Sequence, residues 1–150
     1  MPQDALMLKC VTEELNTLLS GGKINKIVQQ NNDNIVLTVY KGKVFRLLIS
    51  VDPSNPRINL LKNEIDAPLT APNFCMLLRK HLQGGQILRI YQPSLERVVI
   101  FEVSHRDELG DLCTKNLIIE LMGKYSNIIL TDSNNKILDS IKRVPASMSS

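Results

Sequence analysis

The residues best suited to chemistry in this sequence are three charged groups on different predicted elements. Asp4 opens the first predicted helix, Glu96 and Arg97 are adjacent at the entrance of an apolar strand, and Arg79 and Lys80 lie on the outward face of the second predicted helix. An arginine fork binds phosphate or the edge of a base, and a neighbouring carboxylate orients that fork or accepts a hydrogen bond from a base amine. These residues therefore indicate a binding role, with an ordinary solvated surface as the alternative.

Signatures of catalysis are absent from the sequence. It has no glycine-rich phosphate loop, no G-x-S-x-G nucleophile motif, no H-E-x-x-H motif and no G-x-G-x-x-G motif. His81 falls on the apolar stripe of the second helix, which favours a hydrogen-bonded boundary residue, and His105 falls in a loop predicted to be solvated. Neither histidine has a cysteine nearby at metal-ligand spacing. We therefore expect no catalytic residue, no metal and no cofactor.

Pro2 offers one chemical alternative. After loss of Met1 it would be a terminal secondary amine, which can form an iminium with a ribose carbonyl. The formamidopyrimidine-DNA glycosylases use such a proline followed directly by glutamate. Gln3 stands at the position of that glutamate and cannot transfer a proton. We expect Pro2 to lead into the helix without a catalytic role.

Composition and the spacing of the cysteines limit the classes of protein to which the chain can belong. With 43% hydrophobic and 22% charged residues the chain is typical of a soluble globular domain, and a net charge of +3 permits an anionic partner without requiring one. Aromatic residues, at 4%, are too few for a row of base-stacking platforms. Cys10, Cys75 and Cys113 are widely spaced, and neither a signal peptide nor a membrane-spanning run is evident. The sequence predicts a cytoplasmic protein without a membrane partner.

Two helices and nine strands are expected from the spacing of apolar residues and of glycine and proline. Helical spacing runs from Asp4 to Leu19 and again from Pro72, and each helix ends at a Gly-Gly pair. Alternating apolar residues predict the strands, which cover residues 23–30, 34–41, 44–50, 57–61, 86–92, 97–103, 116–122, 127–131 and 136–143. Length and composition place all of them in one domain, residues 1–150.

The two halves of the chain are similar at a fixed offset. Adding 63 carries the first Gly-Gly pair, Gly21–Gly22, onto Gly84–Gly85, and it carries residues 35–37 onto residues 98–100. Coincidence between two amphipathic helices that stop at glycine is the alternative. The repeats, about 4–61 and 72–143, predict an α+β fold: a two-sheet antiparallel β-sandwich with two helices, related by a pseudo-two-fold axis.

Three long runs of residues resemble a known family. They cover residues 73–85 (NFCMLLRKHLQGG), 95–102 (LERVVIFE) and 120–130 (ELMGKYSNIIL), and the end of the chain, 139–144 and 148–150, is also similar. These runs closely resemble the N-terminal domain of the NFACT proteins, over nearly the whole chain.

The resemblance implies a role in ribosome-associated quality control. Family members bind the large ribosomal subunit that still holds peptidyl-tRNA, recruit tRNA, expected here to be alanine tRNA, and support untemplated alanine tailing of the nascent chain. Their N-terminal domain resembles the glycosylase N-domain in fold without its chemistry. The family depends on an aspartate in the first helix, matched by Asp4, and on an Asp-Arg pair, matched by Glu96 and Arg97.

Some features depart from the family or point elsewhere. Glu96 is one methylene longer than the family aspartate, and Tyr125 stands where many members carry histidine. Complete members continue into further domains, so the resemblance implies that this chain is a fragment. The family's older name keeps a fibronectin-binding surface adhesin as an alternative, and a glycosylase-like DNA repair domain is the second alternative.

Overall fold

A computed structural model describes residues 4–65 and 67–142 of the chain. Pro2 and Gln3, the predicted end of the second repeat at residue 143, and the family-like residues 148–150 lie outside the described residues. The helices are α1 (Ala5–Leu19) and α2 (Asn73–Leu82). The strands are β1 (Lys23–Gln29), β2 (Asn34–Tyr40), β3 (Val44–Ser50), β4 (Arg57–Leu61), β5 (Gln86–Tyr91), β6 (Val98–Arg106), β7 (Leu112–Glu120), β8 (Asn127–Asp132) and β9 (Ile137–Ser140).

All nine strands of the described chain belong to one antiparallel sheet, in the order β4-β3-β2-β1-β5-β6-β7-β8-β9. The α+β prediction with two helices is confirmed, whereas the prediction of two separate sheets is corrected. The two halves join where β1 pairs with β5, and that pairing is limited to Lys23 opposite Gln86. The sequence pattern could not reveal this junction because both strands also carry ordinary hairpin partners, β2 and β6. The likeness to the glycosylase N-domain stays a prediction.

Reciprocal hydrogen bonds at the junction relate the two halves. The amide of Gly21 donates to the carbonyl of Ile87 and the amide of Gly84 donates to the carbonyl of Ile24, both at 2.7 Å. Gly21 and Gly84 both have a φ of 88°, a left-handed conformation that glycine adopts without strain. Bulges also correspond, since the register shifts after Ile24 in β1 and after Ile87 in β5. The offset of 63 therefore describes the geometry of the junction.

Beyond this junction the number of residues that separates corresponding positions of the two halves changes from 63 to 64. Leu37 lies opposite Ile27, whereas Phe101 lies opposite Ile90, so Phe101 is the counterpart of Leu37. The prediction that residues 35–37 correspond to residues 98–100 is wrong by one. Burial agrees: Ile35, Leu37 and Val39 are fully buried, as are Val99, Phe101 and Val103. The segment from Ile90 to Phe101 is thus one residue longer than the segment from Ile27 to Leu37, which keeps the apolar face of β6 toward the core.

The hairpin of β6 and β7 differs from the sequence prediction. Both strands have nine residues, and the turn between them covers residues 107–111 instead of the longer link predicted between residues 103 and 116. His105 therefore lies in β6 rather than in a solvated loop. It is half-buried, and its Nε2 lies 2.9 Å from the carbonyl of Gln83.

Each helix packs across the junction on a strand of the other half. Helix α1 contacts β5, and helix α2 contacts β1. The side chain of Asn16 accepts from the amide of Ile90, and Nε of Arg79, the residue 63 positions later, donates to the carbonyl of Ile27. Buried apolar residues of both halves form one core cluster. Within the described residues, neither helix has the length and apolar character needed to cross a bilayer.

Candidate functional site

The carboxylate of Asp4 marks the start of α1. Asp4 has extended backbone dihedrals and is the N-cap of the helix, and its Oδ1 accepts from the amide of Met7 at 2.8 Å. This hydrogen bond satisfies one of the amides that lack a partner in the first turn of a helix. Asp4 is exposed. One carboxylate thus both caps the helix and faces the solvent near the helix start.

Glu96 and Arg97 are the last residues of the loop that leads into β6. The carbonyl of Arg97 accepts from the amide of Leu121 at 2.8 Å, which fixes the backbone of Arg97 to the end of β7. Glu96 is exposed and Arg97 is half-buried. Both residues thus stand at the start of β6, where their side chains line the protein surface.

Asp4, Glu96 and Arg97 lie in one groove. This helix-start groove has a volume of about 470 Å³ and is lined by Asp4, Ala5, Leu95, Glu96, Arg97 and Met122. Leu95 is 65% exposed and Met122 is 37% exposed, so apolar side chains flank the three charged ones. Among the described residues, no ion pair ties Arg97 to either carboxylate. The groove therefore offers a guanidinium donor and two carboxylate acceptors to a ligand.

Gln92 connects the two elements that form the helix-start groove, and sequence reasoning missed its role. Its Nε2 donates to the carbonyl of Ala5 at 3.3 Å and also to the carbonyl of Glu96. The side chain thus ties the first turn of α1 to the loop that carries Glu96. A signal was present in the sequence, because Gln92 corresponds to Gln29 under the offset of 63 and directly precedes the longer loop.

A second groove continues along α1. This helix-side groove has a volume of about 450 Å³ and shares Leu95 with the helix-start groove; α1 contributes Lys9, Thr12, Glu13 and Asn16, and the β5 side contributes Ile90, Tyr91, Gln92 and Ser94. Thr12 is only 3% exposed, and its hydroxyl has no hydrogen-bond partner among the described residues. The two grooves thus adjoin at Leu95 and follow α1, with polar side chains set among apolar ones.

The other two predicted residues lie elsewhere. Nε of Arg79 donates to the carbonyl of Ile27 at 3.0 Å, so this arginine holds α2 against β1. Nζ of Lys80 lies 3.6 Å from the carboxylate of Glu108 and lines a separate cavity at the end of α2. The structure therefore brings together Asp4, Glu96 and Arg97 but places Arg79 and Lys80 apart from them.

The helix-start groove forms where the two repeats differ. Helix α1 has 15 residues and α2 has ten, and the difference lies at the start of α1, which carries Asp4. The additional loop residue lies in the segment that carries Glu96 and Arg97. The helix-start groove therefore forms where the start of α1 has no counterpart in α2 and where the β5–β6 loop carries an additional residue.

The side chains of the groove can donate and accept charged hydrogen bonds. A guanidinium donates to phosphate oxygens or to the acceptors of a base edge, and a carboxylate accepts from amines. Within residues 4–65 and 67–142, no three side chains of His, Cys, Asp or Glu are placed to hold a metal ion. Fold and groove together define an α+β module with a charged groove at the start of its first helix.

Comparison with known proteins identifies the family. Residues 4–150 match the NFACT N-terminal and middle domains, and the chain belongs to the NFACT family. The Rqc2 homolog RqcH of Bacillus subtilis is 41% identical over 152 residues, which is all of this chain and 27% of that protein. The human ribosome quality control complex subunit NEMF is 28% identical over 135 residues, 90% of this chain and 12% of that protein.

A solved structure of the same fold is also similar. The crystal structure of the N-terminal domain of fibronectin-binding protein PavA from Streptococcus pneumoniae has a TM-score of 0.93 and is 41% identical. The similarity covers 98% of this chain and 56% of that one. The chain spans about a quarter of the length of RqcH from Bacillus subtilis, and the human relative is named as a ribosome quality control complex subunit.

Proposed function

We propose that this chain is the tRNA- and large-ribosomal-subunit-binding module of a cytoplasmic ribosome quality control factor that supports untemplated alanine tailing of stalled nascent chains. The observation that carries the proposal is the meeting of Asp4, Glu96 and Arg97, which are far apart in the sequence, in one groove. These three residues match the positions on which, by the NFACT resemblance, the function of the family depends. The large subunit, with its peptidyl-tRNA, and alanine tRNA are the partners.

The groove suits a positioning role. The Arg97 fork would bind a phosphate or a base edge of tRNA, and the carboxylates of Asp4 and Glu96 would accept from base amines. Leu95 and Met122 supply apolar surface beside these groups, against which an unstacked base can pack. Peptide transfer would be the chemistry of the ribosome, so the module itself would be no enzyme and would need no cofactor.

The central experiment replaces the charged residues in the full-length protein. We expect Arg97→Ala and Glu96→Ala to abolish alanine tails on a stalled reporter chain while the thermal unfolding midpoint stays unchanged, because both side chains lie at the surface. Glu14→Ala, an exposed residue of α1 outside the groove, is the matched control and should tail normally. Normal tailing by Arg97→Ala would remove the groove from the mechanism.

Asp4 requires a separate pair of variants because it also caps α1. Asp4→Asn keeps an oxygen for the Met7 amide and removes the charge, whereas Asp4→Ala removes both and costs about 1 kcal/mol of stability. We expect both variants to lose tailing and only the alanine variant to lose stability in urea. Full tailing by the asparagine variant would limit Asp4 to its capping role.

Glu96 is one methylene longer than the aspartate found in the family, and this difference gives a further test of its role beside Arg97. If charge rather than reach sets its interaction with tRNA, Glu96→Asp should retain most of the tailing activity, and Glu96→Gln should lose it, because the charge is needed and the extra methylene is not. Tail length on the reporter chain measures both. Equal activity of Glu96→Gln and the unmodified protein would exclude a charged role for Glu96.

Fibronectin binding is the second candidate function. It is favoured by the close similarity to a domain from a protein named for that activity. Binding of the chain to immobilised fibronectin, combined with protease shaving of intact cells, tests it. Failure to release the domain from intact cells, together with no retention on fibronectin, would exclude the adhesin.

A further inference from the structure

A second cluster of charged side chains lines a cavity at the end of α2. This helix-end cavity has a volume of about 500 Å³ and lies between the last turn of α2, the end of β6, the β6–β7 turn and β7. Three cations, Lys80, Arg106 and Lys115, converge on it together with the imidazoles of His81 and His105. Cations drawn from three different elements around one concavity are the arrangement that binds an anion.

The helix-end cavity is remote from the helix-start groove. Arg97 directly precedes β6 and Arg106 is the last residue of that strand. At about 3.3 Å per residue the strand separates the two arginines by roughly 30 Å. A ligand in the helix-end cavity is therefore not a ligand of the Asp4, Glu96 and Arg97 groove.

Two carboxylates also line the helix-end cavity, so its cations outnumber its anions by one. The Oδ1 of Asp107 accepts from the amides of Leu109 and Asp111, both at 2.9 Å, and its Oδ2 accepts from the thiol of Cys113. The backbone hydrogen bond from Asp111 is the main cause that lowers the pKa of Asp107. Asp107 is thus ionised but already occupied in closing the turn.

Glu108 forms the other contact. Its carboxylate lies 3.6 Å from Nζ of Lys80, and the two side chains are 86% and 61% exposed. An exposed pair of this kind contributes little to stability, because water screens the two charges. A phosphate that approaches Lys80 can therefore displace Glu108 at little cost.

The pKa of His81 depends on burial and on the charged groups around the helix-end cavity. Burial lowers the pKa of His81 first, and the charges of Lys115, Lys80 and His105 lower it further, while Glu108 acts in the opposite direction. His105 is held by its contact with the carbonyl of Gln83. An anion bound among these groups would offset the neighbouring positive charges and raise the pKa of His81.

We propose that the helix-end cavity binds a phosphate group of an RNA backbone, with Lys80, Arg106 and Lys115 as its ligands. The choice of RNA as the source of the phosphate rests on the proposed function, whereas the phosphate chemistry rests on the cavity alone. A module that grips RNA at two points about 30 Å apart would fix both the position and the direction of the bound RNA.

The first experiment follows the imidazole of His81 by NMR in protein with isotope-labelled histidine. We expect inorganic phosphate to raise the pKa of His81, whereas chloride at the same ionic strength does not. Lys80→Gln, an exposed substitution that leaves the fold intact, should weaken this response. No difference between phosphate and chloride would overturn the proposal.

The second experiment measures binding of a short oligoribonucleotide by fluorescence anisotropy over a range of salt concentrations. The double variant Arg106→Gln and Lys115→Gln should bind about tenfold more weakly, with a salt slope smaller by about one for the lost phosphate contact. Lys62→Gln, an exposed lysine outside the cavity, is the matched control. A circular dichroism melt checks that each variant is folded.

The outcomes separate this proposal from the proposed function. Loss of RNA affinity in the double variant, with normal tailing by Arg97→Ala, would support the helix-end cavity and contradict the groove. A phosphate response of His81 without any change in RNA affinity would overturn RNA as the ligand. Competition by polyglutamate as strong as that by RNA would overturn it as well, because the cavity would then select negative charge rather than phosphate.

Discussion

At the scale of single residues, Gln92 explains how the three candidate binding side chains, which come from two segments, are held close together. Its amide group bonds a carbonyl at the start of α1 and a carbonyl of the loop before β6. Asp4 lies on the first of these segments, and Glu96 and Arg97 lie on the second. Gln92 is thus a positioning residue, which acts through the backbone that carries the ligand-binding groups.

Replacing Gln92 should separate positioning from binding. Gln92→Met keeps the volume and removes both hydrogen bonds, so we expect a loss of roughly 1–2 kcal/mol of stability and a marked reduction in tailing. Binding of tRNA should weaken less than for Arg97→Ala, because the charged groups remain. The matched control is Gln30→Met, an exposed residue of the corresponding loop in the first half.

Tailing assays and urea denaturation of these two variants give the comparison. If Gln92→Met tails as well as the Gln30→Met control, the groove does not depend on the link between α1 and the loop.

A pH dependence is expected from Glu120, the last residue of β7. Burial raises the pKa of its carboxyl above the ordinary value of 4.5. The folded form therefore binds the proton more tightly than the unfolded form, so the contribution of Glu120 to stability is present at low pH and is lost as the pH rises through its folded-state pKa. Because the side chain is partly exposed, solvent screening keeps the effect below about 1 kcal/mol.

Glu120→Gln should remove this loss. The variant should unfold at a higher temperature than the unmodified protein at about pH 7 and at the same temperature at about pH 4, where both side chains are uncharged. Calorimetry at the two pH values measures the difference, with the exposed Glu14→Gln as the control. A constant gain at both pH values would mean that hydrogen bonding, not charge, is responsible.

At the scale of elements, the two Gly-Gly pairs determine how the halves meet. Gly84 has a φ of 88° and open space around it, whereas a Cβ on Gly85 would lie 2.7 Å from the carbonyl oxygen of Ser104 and 2.9 Å from that of Leu82. The first glycine is needed for its backbone conformation, and the second for close approach of two backbones. The two positions therefore have different physical requirements.

These requirements predict different costs. Gly85→Ala should destabilise the protein by about 3 kcal/mol, because two backbone oxygens must move, and Gly84→Ala by about 1–2 kcal/mol for the left-handed conformation alone. Urea denaturation of both variants gives the comparison. A smaller cost for Gly85→Ala than for Gly84→Ala would show that the junction can shift to accept a side chain.

The elements also show what sequence patterns could and could not predict. The amphipathic spacing of α1 and the alternation of Ile35, Leu37 and Val39 identify a helix and a strand because burial on one face imposes these periods. The additional residue in the segment before β6 has no such signature, so a constant offset of 63 assigns the residues of β6 to the wrong partners in β2, one position too early. The β1–β5 pairing was missed because its single pair, Lys23 and Gln86, is polar and has no hydrophobic period.

The same limits apply to the candidate site. Asp4, Glu96 and Arg97 could be selected by residue type and by family resemblance. Their proximity depends on α1 packing across the junction on β5, a long-range contact that no local pattern records. Arg79 resembles a phosphate ligand in sequence, yet its guanidinium bonds the carbonyl of Ile27, because α2 packs across the junction on β1 of the first half.

At the scale of the whole molecule, the exchange of helices between the halves joins them into one folding unit. Helix α1 contacts β5 of the second half, and helix α2 contacts β1 of the first half as well as β6 and β9 of its own, so the packing of the helices involves both halves. Fully buried residues of both halves, such as Leu37 and Leu117, belong to the same core cluster. The repeat therefore does not correspond to two independently stable domains, and rigidity in one half depends on the packing of the other.

A core truncation in the first half should consequently weaken the second half to the same degree. Leu37→Ala removes a fully buried side chain from β2 and should cost about 2–5 kcal/mol. Because the halves share one core, we expect a single unfolding transition and an equal loss of amide protection in β3 and in β7, measured by native-state hydrogen exchange. Leu117→Ala in β7 is the matched variant and should produce the same pattern from the other side.

If Leu37→Ala lowered protection in β3 and left β7 protected, the halves would unfold separately, and the helix-start groove, which belongs mainly to the second half, would tolerate damage to the first. With a shared core, such damage instead reaches Arg97 through β5 and α1, so tailing should decline with global stability in both variants.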